Sequence, residues 1–212
     1  MPLDEPLYPM NLRIAGWRCL VVGAGEVAAQ KIQGLLDCDA VVDVVALEVF
    51  DPVRELADRV TITERAYLPS DLDGARICIA ATGDGELNRS ILGDGRAAGV
   101  LVNSADDPAN CDFTLPSRVR RGPLLVTAST QGKSPAMATW LRRRFTAEFG
   151  PEYEILLDVL GEAREDLRNA GFSTEGLAWQ DALDSGILDL VREGRIAEAK
   201  ERLQACLSSS SE

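Results

Sequence analysis

Apolar and polar residues alternate between strand-like and helix-like spacing along the first half of the chain. Cys19-Leu20-Val21-Val22 is an unbroken apolar run, the pattern of a strand buried on both faces. Behind it, Val27, Ala28, Ile32, Leu35 and Leu36 recur at the spacing of one helical face. The alternation then repeats. Residues 40–46 (AVVDVVA) predict a second buried strand, 51–58 a short helix, 59–63 a third strand and 76–81 (RICIAA) a fourth. Residues 84–98 predict a helix through Leu87, Ile91 and Leu92, and 100–102 a fifth strand. Strands alternating with helices predict a parallel, doubly wound α/β sheet over 1–112.

The pattern changes at Phe113. Two β-like runs, 114–119 and 124–129, flank Arg120-Arg121-Gly122-Pro123, which reads as a hairpin turn. Ser134-Pro135 then supplies an N-cap and a first-turn proline for a helix over 136–149. From Pro151 the chain is acidic and helical, with Gly161, Gly171 and Gly186 as expected interruptions. Three regions follow: a sheet domain over 1–112, a small α+β region over 113–149 and a helical C-terminal domain over 150–212.

Composition narrows the chemistry. The 212 residues are 46% hydrophobic, enough for a substantial core. No N-terminal signal pattern and no apolar run of membrane-spanning length occur, so a cytoplasmic, membrane-independent protein is expected. Five scattered cysteines without a CxxC pair read as reduced, buried hydrophobes, and no metal site is expected from them. The absence of histidine leaves acid/base work to Asp, Glu, Lys, Tyr or Cys. A net charge of −12 argues against nucleic acid as a partner. The charge is uneven, however. From Phe113 to Ala147 there are seven basic residues and no Asp or Glu, which suggests a polyanionic ligand held locally. For Arg142, Arg143 and Arg144 a solvated helix end is an equal alternative.

The sequence Gly23-x-Gly25-x-x-Ala28 joins the first strand to the first helix, the context that a Rossmann-like phosphate turn requires. Gly23 permits the tight turn, Gly25 lets backbone approach a pyrophosphate, and small Ala28 lets helix and strand close up. Ligands in such sheets lie beyond the carboxyl ends of the strands, at Gly23 to Val27, Leu47 and Glu48, Thr82 to Asp84, and Asn103 to Asp107. Asp43 is at about the right distance from Gly23 to meet a ribose but falls mid-strand, whereas Glu48 lies just past the strand end. No Lys or Arg follows that strand before Arg54, so NAD is favoured over NADP. The segment VNSADDP (102–108) places Asn103, Asp106 and Asp107 at the cleft rim. A loop aspartate there is the leading general base in a chain without histidine, against the alternative of a turn that merely ends the strand.

Four segments together resemble one family: YPMNLRIAGWRCLVVGAGEVAAQK, AATGDGELN, VNSADDPANCDFTLPS and QGKSPAMATWLRRRF, spread over residues 8 to 148. In order and spacing they are similar to the precorrin-2 dehydrogenases, the N-terminal module of siroheme synthases. The resemblance implies a homodimer with a Rossmann-like domain, a dimerisation region over 113–149 and C-terminal helices. It implies NAD-dependent oxidation of precorrin-2 to sirohydrochlorin, with insertion of Fe2+ or Co2+ as a possible second activity. The family's cofactor site maps onto Gly23, Gly25, Glu26, Val27, Leu47 and Glu48, with Thr82 and Asn103 beside it. Its essential aspartate, in an Asn-x-x-Asp-x-Pro motif, maps onto Asp106. Carboxylates of the tetrapyrrole are expected at Arg118, Arg120, Arg121, Lys133 and Ser134. Two departures stand out: Ala24 and Gln131, where the family commonly has glycine.

The resemblance also implies that the methyltransferase half of fused siroheme synthases is supplied by another protein. A non-catalytic NAD-sensing regulatory subunit is the competing class, since it would keep the glycine turn without needing Asp106. A short-chain oxidoreductase is disfavoured, because no tyrosine has lysine four residues later.

Overall fold

The computed structural model describes residues 5–105, 107 and 110–208. By internal contact the chain forms two compact units, one of residues 1–115 with 130–134, the other of 116–129 with 135–212.

The first unit is built on five parallel strands: β1 (Arg18–Val22), β2 (Val41–Ala46), β3 (Thr61–Glu64), β4 (Ile77–Ala80) and β5 (Leu101–Ser104), in the order β3-β2-β1-β4-β5. Helices α1 (Glu26–Leu36), α2 (Asp51–Arg54) and α3 (Gly85–Ala98) supply the crossovers. Alternate strand residues face opposite sides of the sheet, so two cores form. Cys19, Val21, Val42, Val44, Ile77 and Ile79 pack with Ala28 and Ile32 of α1 and Val53 of α2. Leu20, Val22, Val45, Cys78 and Val102 pack with Ile91 and Leu92 of α3. This accounts for the unbroken apolar runs: all of β4 and all but the first residue of β1 are buried. Burial also pushes the Cys19 thiol up to about 11 and the Cys78 thiol up to about 12, so both are inert core residues.

The sheet reverses its winding between β1 and β4, which is where a doubly wound fold opens its ligand crevice. Gly23 sits there with φ of 104°, and a Cβ on it would strike the Ala81 carbonyl. The first glycine of the motif is therefore required twice, by its positive φ and by the approach of the β4 exit.

β5 is longer than the sequence pattern predicts. Asn103 and Ser104, expected in the loop, are strand residues paired beside Ile79 and Ala80. Register with the buried β4 overrides their weak strand propensity. The chain then returns along this edge: Asp112 N–H donates to the Val102 carbonyl at 2.7 Å, and the Asp112 carboxylate accepts from Val102 N–H at 3.0 Å and Arg96 Nε at 2.9 Å.

In the second unit, β6 (Ser117–Arg121) and β7 (Leu124–Ala128) form an antiparallel hairpin. Arg121 pairs with Leu124, so the turn is only Gly122-Pro123, and Arg120 and Arg121 belong to the strand, not to the turn as expected. The hairpin packs with α4 (Pro135–Glu148), which has no buried residue. Arg142 to Arg144 are exposed, as a solvated reading expects, but they precede the last turn of α4, which lacks basic residues, so only their placement at the helix end is corrected. The remaining helices are α5 (Glu152–Asn169), α6 (Trp179–Ala182), α7 (Leu188–Arg192) and α8 (Ile196–Ser208), packed around Leu156, Val159, Ile187, Leu190, Val191 and Leu203. Gly161 does not interrupt α5. A mid-helix glycine costs only about 1 kcal/mol, less than the burial of Leu156 and Val159 contributes. Gly171 and Gly186 do end or distort helices, both at positive φ. Among the described residues no helix is long and apolar enough to cross a membrane.

Candidate functional site

Four predicted segments converge at the carboxyl edge of the sheet because β1, β2, β4 and β5 are parallel neighbours or next neighbours. At their centre the β1–α1 turn presents an uncapped helix. Gly25 is the N-cap of α1, and among the described residues no side chain caps the helix. A Cβ at Gly25 would find nothing within 4 Å, so the backbone there is open to a ligand. Open first-turn N–H groups together with the positive end of the helix dipole suit a phosphate. Glu26 and Val27 in this turn are exposed, as are Leu47 and Glu48 in the bend after β2. A nicotinamide dinucleotide thus fits the residues present: open N–H groups at the α1 N-terminus suit a pyrophosphate, and Glu48 is an exposed acid just beyond β2.

The turn is tied to its neighbours. Gly23 N–H donates to the Val45 carbonyl at 2.8 Å, and Phe50 N–H donates to the Ala24 carbonyl at 3.2 Å, linking the glycine turn to the β2–α2 loop. Asp43, the other acid considered for the ribose, instead accepts from Arg18 Nε at 2.6 Å. It lies in the first half of β2, away from the carboxyl edge, and its role is structural.

After β4, Thr82 is held by Asn88: its hydroxyl donates to Asn88 Oδ1 at 2.7 Å, and Asn88 Nδ2 donates to the Thr82 carbonyl at 3.2 Å. Asp84 Oδ1 caps α3 by accepting from Glu86 and Leu87 N–H at 2.8 and 3.1 Å. The Thr-Gly-Asp-Gly-Glu-Leu sequence carries that capping signal openly.

After β5 the arrangement is different from a simple rim of acids. Asn103 is buried, with its Nδ2 donating to the Phe113 carbonyl at 2.8 Å. The Cys111 sulfur accepts from Ser104 N–H at 3.1 Å and lies 3.3 Å from the carbonyls of Ser104 and Asp107. Burial raises its thiol pKa, opposed by the Ser104 N–H. The sequence pattern predicts Cys111 as a reduced, buried hydrophobe, whereas the residue is only partly buried and bonds the strand exit. The only available signal was its position inside a polar loop. Asn110 Nδ2 donates to Asp107 Oδ2 at 2.5 Å, which commits that carboxylate to the loop itself. Asp106, the predicted base, lies outside the described residues. The Ser104 hydroxyl is buried at the end of β5 and, among the described residues, is the buried side-chain oxygen that lacks a partner.

Of the predicted substrate contacts, Arg118 and Arg120 are exposed and two residues apart on β6, hence on one face. Arg121 is turned to structure, donating to the Arg120 carbonyl at 2.9 Å and the Thr146 carbonyl at 3.4 Å. Lys133 and Ser134 belong to the first unit, in a turn where Lys133 N–H donates to the Thr130 carbonyl at 2.9 Å. In that turn Gln131 takes φ of 53°, the left-handed region that favours glycine, and its Nε2 donates to the Glu5 carbonyl at 2.6 Å.

Comparison with known proteins agrees with this geometry. The chain is 34% identical over 203 residues to siroheme synthase of Nitrosococcus oceani, covering 94% of this chain and 43% of that one. It is equally identical over 202 residues to siroheme synthase of Pseudoalteromonas atlantica, covering 93% and 44%. The chain therefore spans less than half the length of these curated relatives. A solved structure titled "SirC, precorrin-2 dehydrogenase" has the same fold, with a TM-score of 0.75 at 24% identity over 94% of this chain and 98% of that one. The model of the family described as "Putative NAD(P)-binding" matches residues 10–117, half of the chain, and the phosphate turn, the doubly wound sheet and this match together place the chain in that NAD(P)-binding family.

Proposed function

We propose that this chain is an NAD-dependent dehydrogenase that oxidises precorrin-2 to sirohydrochlorin. The observation that carries the proposal is the extent of the match to siroheme synthases: it runs through both units, far beyond the dinucleotide domain alone. Bound NAD would supply the two-electron acceptor for a hydride leaving a reduced carbon of the macrocycle.

The chain's own residues do the rest. The N–H groups of the α1 first turn, with Gly23 and Gly25, hold the pyrophosphate, and Glu48 accepts from the adenosine ribose. Leu47 and Val27 flank the nucleotide with apolar surface. Thr82, fixed by Asn88, lines the crevice beside the turn. Asn103 braces the β5 loop, and Asp106 takes the proton that accompanies hydride loss. The acetate and propionate groups of the substrate call for cationic and hydroxyl partners, the role read from the sequence for Arg118, Arg120, Lys133 and Ser134. Arg121 acts indirectly, by holding the end of α4.

A homodimer belongs to this reading. α4 leaves Met137 and Trp140 about half exposed, and only Val119 of the hairpin it packs on is buried. A second copy would cover that apolar face. A cytoplasmic, membrane-independent location belongs to the same reading, and the charge of −12 accords with the lack of a nucleic-acid partner.

The test is NADH formation on mixing the purified chain with NAD and enzymatically generated precorrin-2 under anaerobic conditions. Turnover supports the dehydrogenase. Tight NAD binding with no NADH formed from active substrate would leave the NAD-sensing subunit as the better reading.

A further inference from the structure

At the ribose edge of the proposed site, the arginine that follows β2 is already engaged. Arg54, the first basic residue after β2, donates through Nε to the Val49 carbonyl at 3.1 Å, one residue beyond Glu48. Its two terminal nitrogens meet the two carboxylate oxygens of Glu64 at 3.2 and 3.4 Å, a two-pronged pairing. Glu64 is the last residue of β3 and pairs in register with Ala46, the last of β2, so both side chains belong to the carboxyl edge where the adenosine ribose is expected. Both side chains are about half exposed (53% and 48%), and an ion pair so exposed adds little to folding stability. Its significance lies in what it denies. An arginine at this place in the fold is the usual receptor for the 2′-phosphate of NADP. Here each guanidinium nitrogen already makes one bond and the Glu64 carboxylate offsets the charge, so a phosphate would compete with that carboxylate while facing Glu48.

We propose that Glu64 is a specificity-determining residue, which refuses the 2′-phosphate of NADP by holding Arg54 in an ion pair beside the ribose site. The inference rests on the NAD reading above and deepens it. Two acids then act differently: Glu48 attracts the 2′-hydroxyl directly, whereas Glu64 acts only through Arg54.

That dependence makes the test a two-residue cycle. The Kd values of NAD and NADP are measured by calorimetry for the full chain and for E64Q, R54A and E64Q/R54A, with thermal unfolding to verify that each is folded. The wild-type chain prefers NAD. In E64Q the ratio Kd(NADP)/Kd(NAD) falls about five- to tenfold, the order expected from releasing one charge-assisted contact, chiefly through tighter NADP binding. In E64Q/R54A the ratio returns to that of R54A. An unchanged ratio in E64Q overturns the proposal, as does an equal fall in the R54A background, which would mean simple removal of negative charge. If the wild-type chain does not prefer NAD, the NAD reading itself fails and takes this inference with it.

Discussion

The main-chain N–H of Ser104 points at the sulfur of Cys111, 3.1 Å away, and ties the end of β5 to that residue. The same sulfur lies 3.3 Å from the Asp107 carbonyl, so both flanks of Asp106 are tied to one thiol. Sulfur is a weak hydrogen-bonding partner, but it is partly buried and has several partners at once, which fixes the strand exit more firmly than one such bond would.

Removing the thiol should therefore affect chemistry more than cofactor binding. Cys111→Val is expected to cost about 1–3 kcal/mol in urea unfolding, because the Ser104 N–H loses its partner. NADH formation should fall while the Kd of NAD stays near the wild-type value. Cys111→Ser, which keeps a donor and an acceptor, should recover most of the rate. Equal rates for the valine and serine variants would show that the thiol does not position the loop.

Asp106→Asn preserves size and removes the basic oxygen. Turnover of precorrin-2 should drop about 10²- to 10⁴-fold, the usual contribution of a general base, with NAD binding unchanged. Full activity in this variant would remove Asp106 from the mechanism.

Asp71 gives a pH prediction at a distance from the site. Its carboxylate accepts from Arg65 at 2.5 and 2.8 Å and from Leu68 N–H at 2.9 Å. The Arg65 hydrogen bonds, ahead of the Leu68 N–H, hold its pKa below the ordinary value against the opposing effect of burial. A depressed carboxyl contributes stability that is present above its unfolded pKa and is lost as pH falls through the folded one. Asp71→Asn should cost about 1–3 kcal/mol at neutral pH, and the difference from wild type should shrink on acidification below the normal aspartate range. A difference independent of pH would place the effect in packing.

Metal insertion separates the two activities that the resemblance suggests. With sirohydrochlorin and Co2+ or Fe2+ but no NAD, insertion is expected to stay near the spontaneous rate, measured by the absorbance of the metallated product. Insertion well above that rate would make the chain bifunctional, with the metal as a second substrate.

Much of the fold can be read from residue spacing, since unbroken apolar runs and helical stripes are local properties of the chain. The β1–α1–β2 unit and α3 follow from them closely. Short polar-ended elements do not. Asn103 and Ser104 have little strand preference and are drawn into β5 by pairing with β4. Arg120 and Arg121 look like turn residues, yet Gly122, with φ of 52°, makes a tighter turn possible and leaves them in the strand. In the site, the glycines were legible because backbone geometry admits few other residues. Cys111 and Glu64 were not, because nothing in a residue's own type names its partner.

The sequence alone determines the order of strands and helices, the phosphate turn in its strand-to-helix context, and a basic segment without acids in an acidic chain. These follow from periodicity, composition and the special backbone of glycine. Only the tertiary structure decides that Ala81 leaves no room beside Gly23, that Glu64 occupies Arg54, and that Cys111 meets both Ser104 and Asp107. Each of those relationships joins residues brought together by neighbouring strand ends or a returning loop, and such proximity is set by sheet order and register, which residue spacing does not encode.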